Sequence, residues 1–160
     1  MPINNYPFKT NEKITFPSPI LPIRIINPHN NFDYLTWGLI DTGAAESAIP
    51  EYIAKTLGHN IQSVQPVPGF GASGNFNVYP HTFKIDIFKM NSRGTVDTNQ
   101  VVHTISQCRI GVICDLPFVL LGVKEFLSRF LLLVDYTRKR VSVKHPQNIL
   151  RAKSSLVINF

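Results

Sequence analysis

Cysteine is scarce in this chain, with two residues, Cys108 and Cys114, among 160. They have no metal-ligand companions at the usual spacing, so they read as two buried free thiols of a reducing compartment. Acidic residues are also few, 10 against 16 Lys and Arg, for a formal net charge of +6. Much of the surplus sits in "TRKR" at 137–140 and in Lys144, His145, Arg151 and Lys153. A solvated hairpin and tail accounts for it. Nucleic-acid binding would need a recognised module or an aromatic platform beside the basic surface, and neither is found. Long hydrophobic runs are missing. The densest, "FLLLV" at 130–134, is strand length and is followed by Asp135, so no segment is suited to span a bilayer. The proline-broken start has no signal-peptide core, and a cytoplasmic location is expected. Gly-x-Ser-x-Gly is absent. The five histidines (29, 59, 81, 103 and 145) are dispersed along the chain, which gives a zinc centre or a His-based triad little support. There is no internal repeat and no low-complexity tract.

What is present suits one domain. At 160 residues and 44% hydrophobic composition the chain has material for a real core. Residues 1–19, with prolines at 2, 7, 17 and 19, look irregular. "ILPIRII" from Ile20 reads as a strand with Leu21, Ile23 and Ile25 on one side and Arg24 on the other, and Pro22 favours an edge position. "NPHNN" is a turn, and "YLTWGLI" is the return strand. In "PEYIAKTLG", Pro50 suits a first helical position and Gly58 a C-terminal cap. A long hairpin follows at 64–88, with Phe83, Ile85 and Ile87 alternating against Lys84 and Asp86. "NSRGTVDTN" reads as a turn or loop, "QVVHTI" and "IGVI" as strands, "PFVLLG" as an apolar strand and "VKEFLSRF" as a short helix. "LLLVDY", "TRKR" and "VSVKH" make a closing hairpin. Short strands separated by turns predict an all-β, barrel-like domain at 20–146, with a tail at 147–160 whose "SSLVINF" suits an interface strand.

The chemistry centres on "TWGLIDTGAAESAIP". A buried approach ends in a carboxylate, Asp41, which is costly unless other groups compensate it. Gly43 and Ala44 let the backbone turn tightly beside it, turn N–H groups can bond to its oxygens, and Thr42 offers a hydroxyl. Bare Asp-Thr-Gly also fits a polar turn or a helix cap. Peptide hydrolysis by carboxylates needs two of them sharing one proton. Asp86, Asp97, Asp115 and Asp135 lack the Thr-Gly context. A two-fold dimer would bring a second Asp41.

In these motifs the chain resembles the retropepsin-like, retroviral-type aspartic proteases. "LIDTGA" at 39–44 matches their catalytic motif, "VLLG" at 119–122 their apolar-apolar-Gly element, "VKEFLSRF" the helix after it, and "GFGASG" at 69–74 stands where they have a flap. The resemblance spans residues 20–143. It implies a closed acid-protease barrel with one lobe per chain, a C2 homodimer, a polypeptide substrate, and no metal or organic cofactor. It makes Asp41 the catalytic aspartate, supported by Thr42, Gly43 and Ala44. Gly69, Phe70, Gly71, Ala72, Ser73 and Gly74 become the flap, and Ala45, Glu46, Leu121 and Val123 candidates for the cleft. Many viral members carry Asp after the motif and Arg after the later glycine, as an ion pair; here Ala45 and Val123 stand there, so both charges are lost together. Glu46 fits either a substrate contact or a solvated position, and the glycine-rich hairpin either a lid or a passive turn. The expected activity is an aspartic endopeptidase; the alternative is a noncatalytic homodimeric peptide-binding module.

Overall fold

The computed structural model describes residues 3–71 and 74–146. Ala72, Ser73 and the tail at 147–160, with its expected interface strand, lie outside the described residues. The strands are β1 (Ile3–Pro7), β2 (Ile20–Ile26), β3 (Asp33–Ile40), β4 (Ala48–Pro50), β5 (Val67–Gly71), β6 (Gly74–Met90), β7 (Val96–Ile113), β8 (Val119–Leu121), β9 (Leu131–Asp135) and β10 (Arg140–Lys144), with one short helix, α1 (Glu51–Thr56), after β4. Strands β2-β3-β8-β4-β7-β6 are neighbours in that order, and a further β2–β6 pairing closes them into a six-stranded barrel. β5 pairs only with the first part of β6, Val67↔Val78 to Gly71↔Gly74, so this hairpin extends beyond the closed ring. A three-stranded antiparallel sheet, β1-β10-β9, packs its Ile3, Tyr6, Val141 and Val143 into the same core.

The core follows the alternation in the sequence. Ile23, Ile25, Phe83, Ile85, Ile87, Val112, Val119 and Leu121 are buried inside the barrel, each contributing about 1.5–3 kcal/mol relative to exposure. Asp86 breaks the pattern, since it too is buried. Its oxygens accept hydrogen bonds from Arg24 Nη2 at 2.8 Å and Thr104 Oγ1 at 2.7 Å. Burial alone would push its carboxyl up; the Arg24 and Thr104 bonds and the Lys84 charge outweigh that and hold it below the usual range.

Several expectations are corrected. Residues 3–7 are a strand, paired to β10, within a segment read as irregular. Pro22 is not on an edge strand, because β2 pairs on both sides; it is tolerated because only Ile23–Ile26 meet β6, leaving Pro22 paired to β3 alone. "QVVHTI" and "IGVI" are one 18-residue strand, β7. Pro50 is the cap of α1 rather than its first residue, while Gly58 at φ 82° ends the helix as expected. "VKEFLSRF" is no α-helix: it is a wide turn, with Leu127 N–H on Gly122 O and Ser128 N–H on Val123 O, and then a 3-10 turn at Leu127–Arg129. These bonds reach five residues back, a wider turn than the four-residue step of an α-helix. Cys108 is half-buried, and Cys114 is exposed rather than buried.

Candidate active site

Asp41 stands at the C-terminal end of β3, where the chain leaves the barrel. β8 runs parallel to β3 (Gly38↔Val119 to Ile40↔Leu121) and sits between β3 and β4. The Asp41 loop therefore crosses the end of β8 before the chain returns as β4. Gly38 allows this packing, because a Cβ there would lie 3.0 Å from the Leu121 side chain and 3.1 Å from Ile23. Asp41 N–H donates to Leu121 O at 3.2 Å, and Gly43 N–H donates to Asp41 Oδ1 at 2.8 Å. The turn thus orients one carboxylate oxygen with its own backbone, and the half-buried side chain keeps access to solvent.

The turn after β8 laces this loop in place. Val123 N–H donates to Ala44 O and Lys124 N–H to Ala45 O, both at 3.0 Å. Gly122 N–H donates to the buried Ser47 Oγ at 3.0 Å, and Ser47 N–H donates to Glu125 Oε2 at 2.6 Å. Lys124 Nζ pairs with Glu46 on the surface. Leu121 is buried beneath the loop; Thr42, Gly43, Ala45, Glu46 and Val123 are exposed and Ala44 is half-buried. Among the expected cleft residues, Glu46 is thus in an ion pair. Sequence reading missed Ser47, Lys124 and Glu125. The signal was there in Glu46 and Lys124, each one position past the Ala45 and Val123 that lack the viral charges.

The glycine hairpin is β5 and the start of β6. Gly69 pairs with Phe76 and Phe70 with Asn75. A Cβ at Gly69 would collide with the Phe76 ring, and one at Gly71 would lie 3.1 Å from it. The glycines make room for Phe76 to lie along one face, which sequence reading did not identify. Phe70 is 77% exposed, so it is not core. Gly74 has φ 108°, a value that glycine adopts readily. Two described cavities, of about 540 and 470 Å³, do not include Asp41.

The smaller cavity is lined by a group that the dispersed sequence positions concealed. His59 and His81 approach with ring centroids 5.0 Å apart, and His59 lies 4.5 Å from Phe83. Both Nε2 atoms are buried without a hydrogen-bond partner. Desolvation, with the His81 and His29 charges, lowers His59 to about 4. Desolvation also lowers His81, with Arg109 adding to it against a backbone bond to Ile61. His103 is lowered as well, chiefly by burial. A depressed histidine binds its proton more readily unfolded, near pH 6.5, than folded. Stability is therefore full above pH ~6.5 and falls as pH drops from ~6.5 toward ~4. Urea midpoints are expected to decline across that window, with a shallower slope in His59→Phe; equal slopes would refute the assignment. Among the described residues no three His, Cys, Asp or Glu side chains gather to hold a metal ion.

No family model matches the chain, and no curated protein matches it in sequence. Solved structures do. A retropepsin-like aspartic protease from Rickettsia conorii aligns over 88% of this chain and 89% of its own, at 17% identity and a TM-score of 0.56. EIAV protease complexed with the inhibitor HBY-793 aligns over 89% and 93% at 17% identity and TM-score 0.36. The retroviral protease-like domain of Ddi1 from Leishmania major aligns over 81% and 96% at 19% identity and TM-score 0.41. The Rickettsia alignment spans most of both chains at low identity: what this chain shares with that protein is the retropepsin-like aspartic protease fold.

Proposed function

We propose that the protein is an aspartic endopeptidase that works as a C2 homodimer. The observation that carries this is the Asp41 carboxylate at the end of the barrel, with Gly43 N–H on Oδ1 and an open outer side. A two-fold axis beside this loop would set two Asp41 carboxylates together, sharing one proton. The ionised member takes a proton from a water held between them, and the water oxygen attacks the peptide carbonyl carbon. The protonated member gives its proton to the carbonyl oxygen, forming a tetrahedral diol. Proton transfer to the amide nitrogen then lets the C–N bond break, releasing an acid and an amine. Neither described cavity includes Asp41, which fits a cleft that only two protomers complete. Thr42, Gly43 and Ala44 would support the loop, with the exposed Thr42 hydroxyl facing the partner. The hairpin at 67–78 would be the flap, its main chain approaching an extended peptide and Phe70 covering the cleft. No cofactor is required. Among the described residues no helix is long and apolar enough to cross a membrane.

A fluorogenic peptide library, with and without a statine-type transition-state analogue, tests the reading. Inhibitable cleavage is expected, with specific activity falling on dilution as protomers separate, and slower amide exchange across 69–74 when the analogue binds. Analogue binding without cleavage would favour the noncatalytic peptide-binding module. Full activity from a species that sediments as a monomer would end the dimer mechanism.

A further inference from the structure

We infer that Glu125 is a positioning residue for Asp41, acting through the backbone of Ser47. The inference rests on the peptidase reading above. The Asp41 loop has little packing of its own, since Thr42, Gly43, Ala45 and Glu46 are exposed. Its position depends on hydrogen bonds to the turn at 122–125. Two of these run between backbone groups, Val123 to Ala44 and Lys124 to Ala45. A third joins Lys124 Nζ to Glu46 on the surface, and two more meet at Ser47, which is 2% exposed: its Oγ accepts from Gly122 N–H, and its own N–H donates to Glu125 Oε2 at 2.6 Å.

The Glu125 bond is short and charge-assisted, the strong kind for a backbone donor. The carboxylate is half-buried, so water screens it less than the Glu46–Lys124 pair on the surface. Its charge also reaches the Cys108 thiol on β7, which burial and this carboxylate push up. Ser47 is thus gripped from both sides at the point where the loop re-enters the barrel as β4. Releasing one side lets the loop shift against β8. A dyad sharing one proton tolerates little displacement, since misplacement by about 1 Å can cost on the order of a hundredfold in rate.

Glu125→Ala and Glu125→Gln in the full chain test this. Active sites are counted by titration with the transition-state analogue, and Ser47 and Gly43 amide exchange is followed by NMR. Glu125→Ala is expected to lower kcat per titrated site about tenfold or more, the loss of one charge-assisted hydrogen bond, with KM changed less than about threefold. Glu125→Gln, whose amide oxygen still accepts the Ser47 N–H, is expected to recover most of the loss. Lys124→Met is expected to cost less than Glu125→Ala. If Glu125→Ala does not fold, Glu125→Asp carries the test, with the carboxylate withdrawn by one methylene. Its kcat should fall while its melting temperature stays near wild type. Unchanged kcat per site, or a loss confined to the number of titratable sites, overturns the inference. Should the wild type cleave no peptide, the peptidase reading fails while the clamp is judged by exchange alone. Faster Ser47 exchange in Glu125→Ala, restored by Gln, supports it, and unchanged exchange refutes it.

Discussion

On the proposed mechanism, Asp41→Asn is expected to reduce peptide turnover by a factor on the order of 10⁴ while leaving the fold and the proposed dimer intact. Asparagine keeps the shape of the side chain and an oxygen that can accept the Gly43 N–H, now 2.8 Å from Oδ1. What it loses is the proton chemistry. Two amides can neither share a proton nor take one from water, so the base and the acid vanish together. In the proposed mechanism the two copies of the residue act as one unit, so a mixed dimer carrying one Asn should be nearly as inactive as the pure variant. Circular dichroism, sedimentation and binding of the transition-state analogue would establish that the variant is folded, and rates would be measured on the same sample. Wild-type turnover from purified Asp41→Asn would rule out the dyad, whatever the fold.

The path to Asp41 was legible in the sequence because the information there is local. An apolar strand, a tight Asp-Thr-Gly-Ala turn and a later "VLLG" are each short, and their order along the chain is enough to imply β3, its loop and β8. The separate sheet that joins the two ends of the domain was not visible locally. β1 reads "INNYP", with no alternation and with Asn5 at φ 58°, and its partner β10 lies at the other end of the domain. No nearby residue signals such a pairing. β7 looked like two strands because the polar stretch around Gln107 and Arg109 interrupts its apolar residues, and the register with β6 shifts there, between Phe83↔Cys108 and Ile85↔Ile105, yet the pairing resumes on both sides of the shift. "VKEFLSRF" carried helical spacing, but its bonds from Leu127 to Gly122 and from Ser128 to Val123 span five residues, and the wide turn so formed braces the Asp41 loop through the Val123 and Lys124 N–H groups. The site showed the same division. Asp41, Thr42, Gly43 and Ala44 stand together in one short stretch of sequence, whereas Ser47 and Glu125, joined across 78 positions, have no signature apart from the fold that unites them. Likewise the hairpin glycines were read as freedom for a mobile tip, while Gly69 and Gly71 also give the Phe76 ring its place.

Gly122→Ala is the substitution expected to damage the scaffold most. The glycine is needed for space: a Cβ there would lie 2.7 Å from the Ser47 nitrogen and closer still to the carbonyl of Glu46. These are backbone atoms, so no rotamer change relieves the clash. Either β8 and its turn retreat from the Asp41 loop or the loop moves outward. Both responses stretch the Gly122–Ser47 bond and the two backbone bonds from Val123 and Lys124. Overpacking of this kind costs about 3 kcal/mol, and each weakened bond adds about 1 kcal/mol. Gly38→Ala is the informative contrast. Its Cβ would meet the side chains of Leu121 and Ile23 at 3.0 to 3.1 Å, and side chains can shift by tenths of an ångström where a peptide plane cannot. Gly38→Ala should therefore lose clearly less stability than Gly122→Ala in urea unfolding. Stability of Gly122→Ala within about 1 kcal/mol of wild type would mean that the loop and the turn are not locked together. That result would also weaken the clamp at Glu125, because the clamp presumes that the turn holds the loop at a fixed distance. A large loss in Gly122→Ala, with a modest one in Gly38→Ala, would locate the rigidity in the contact between the β8 turn and the loop that carries Asp41.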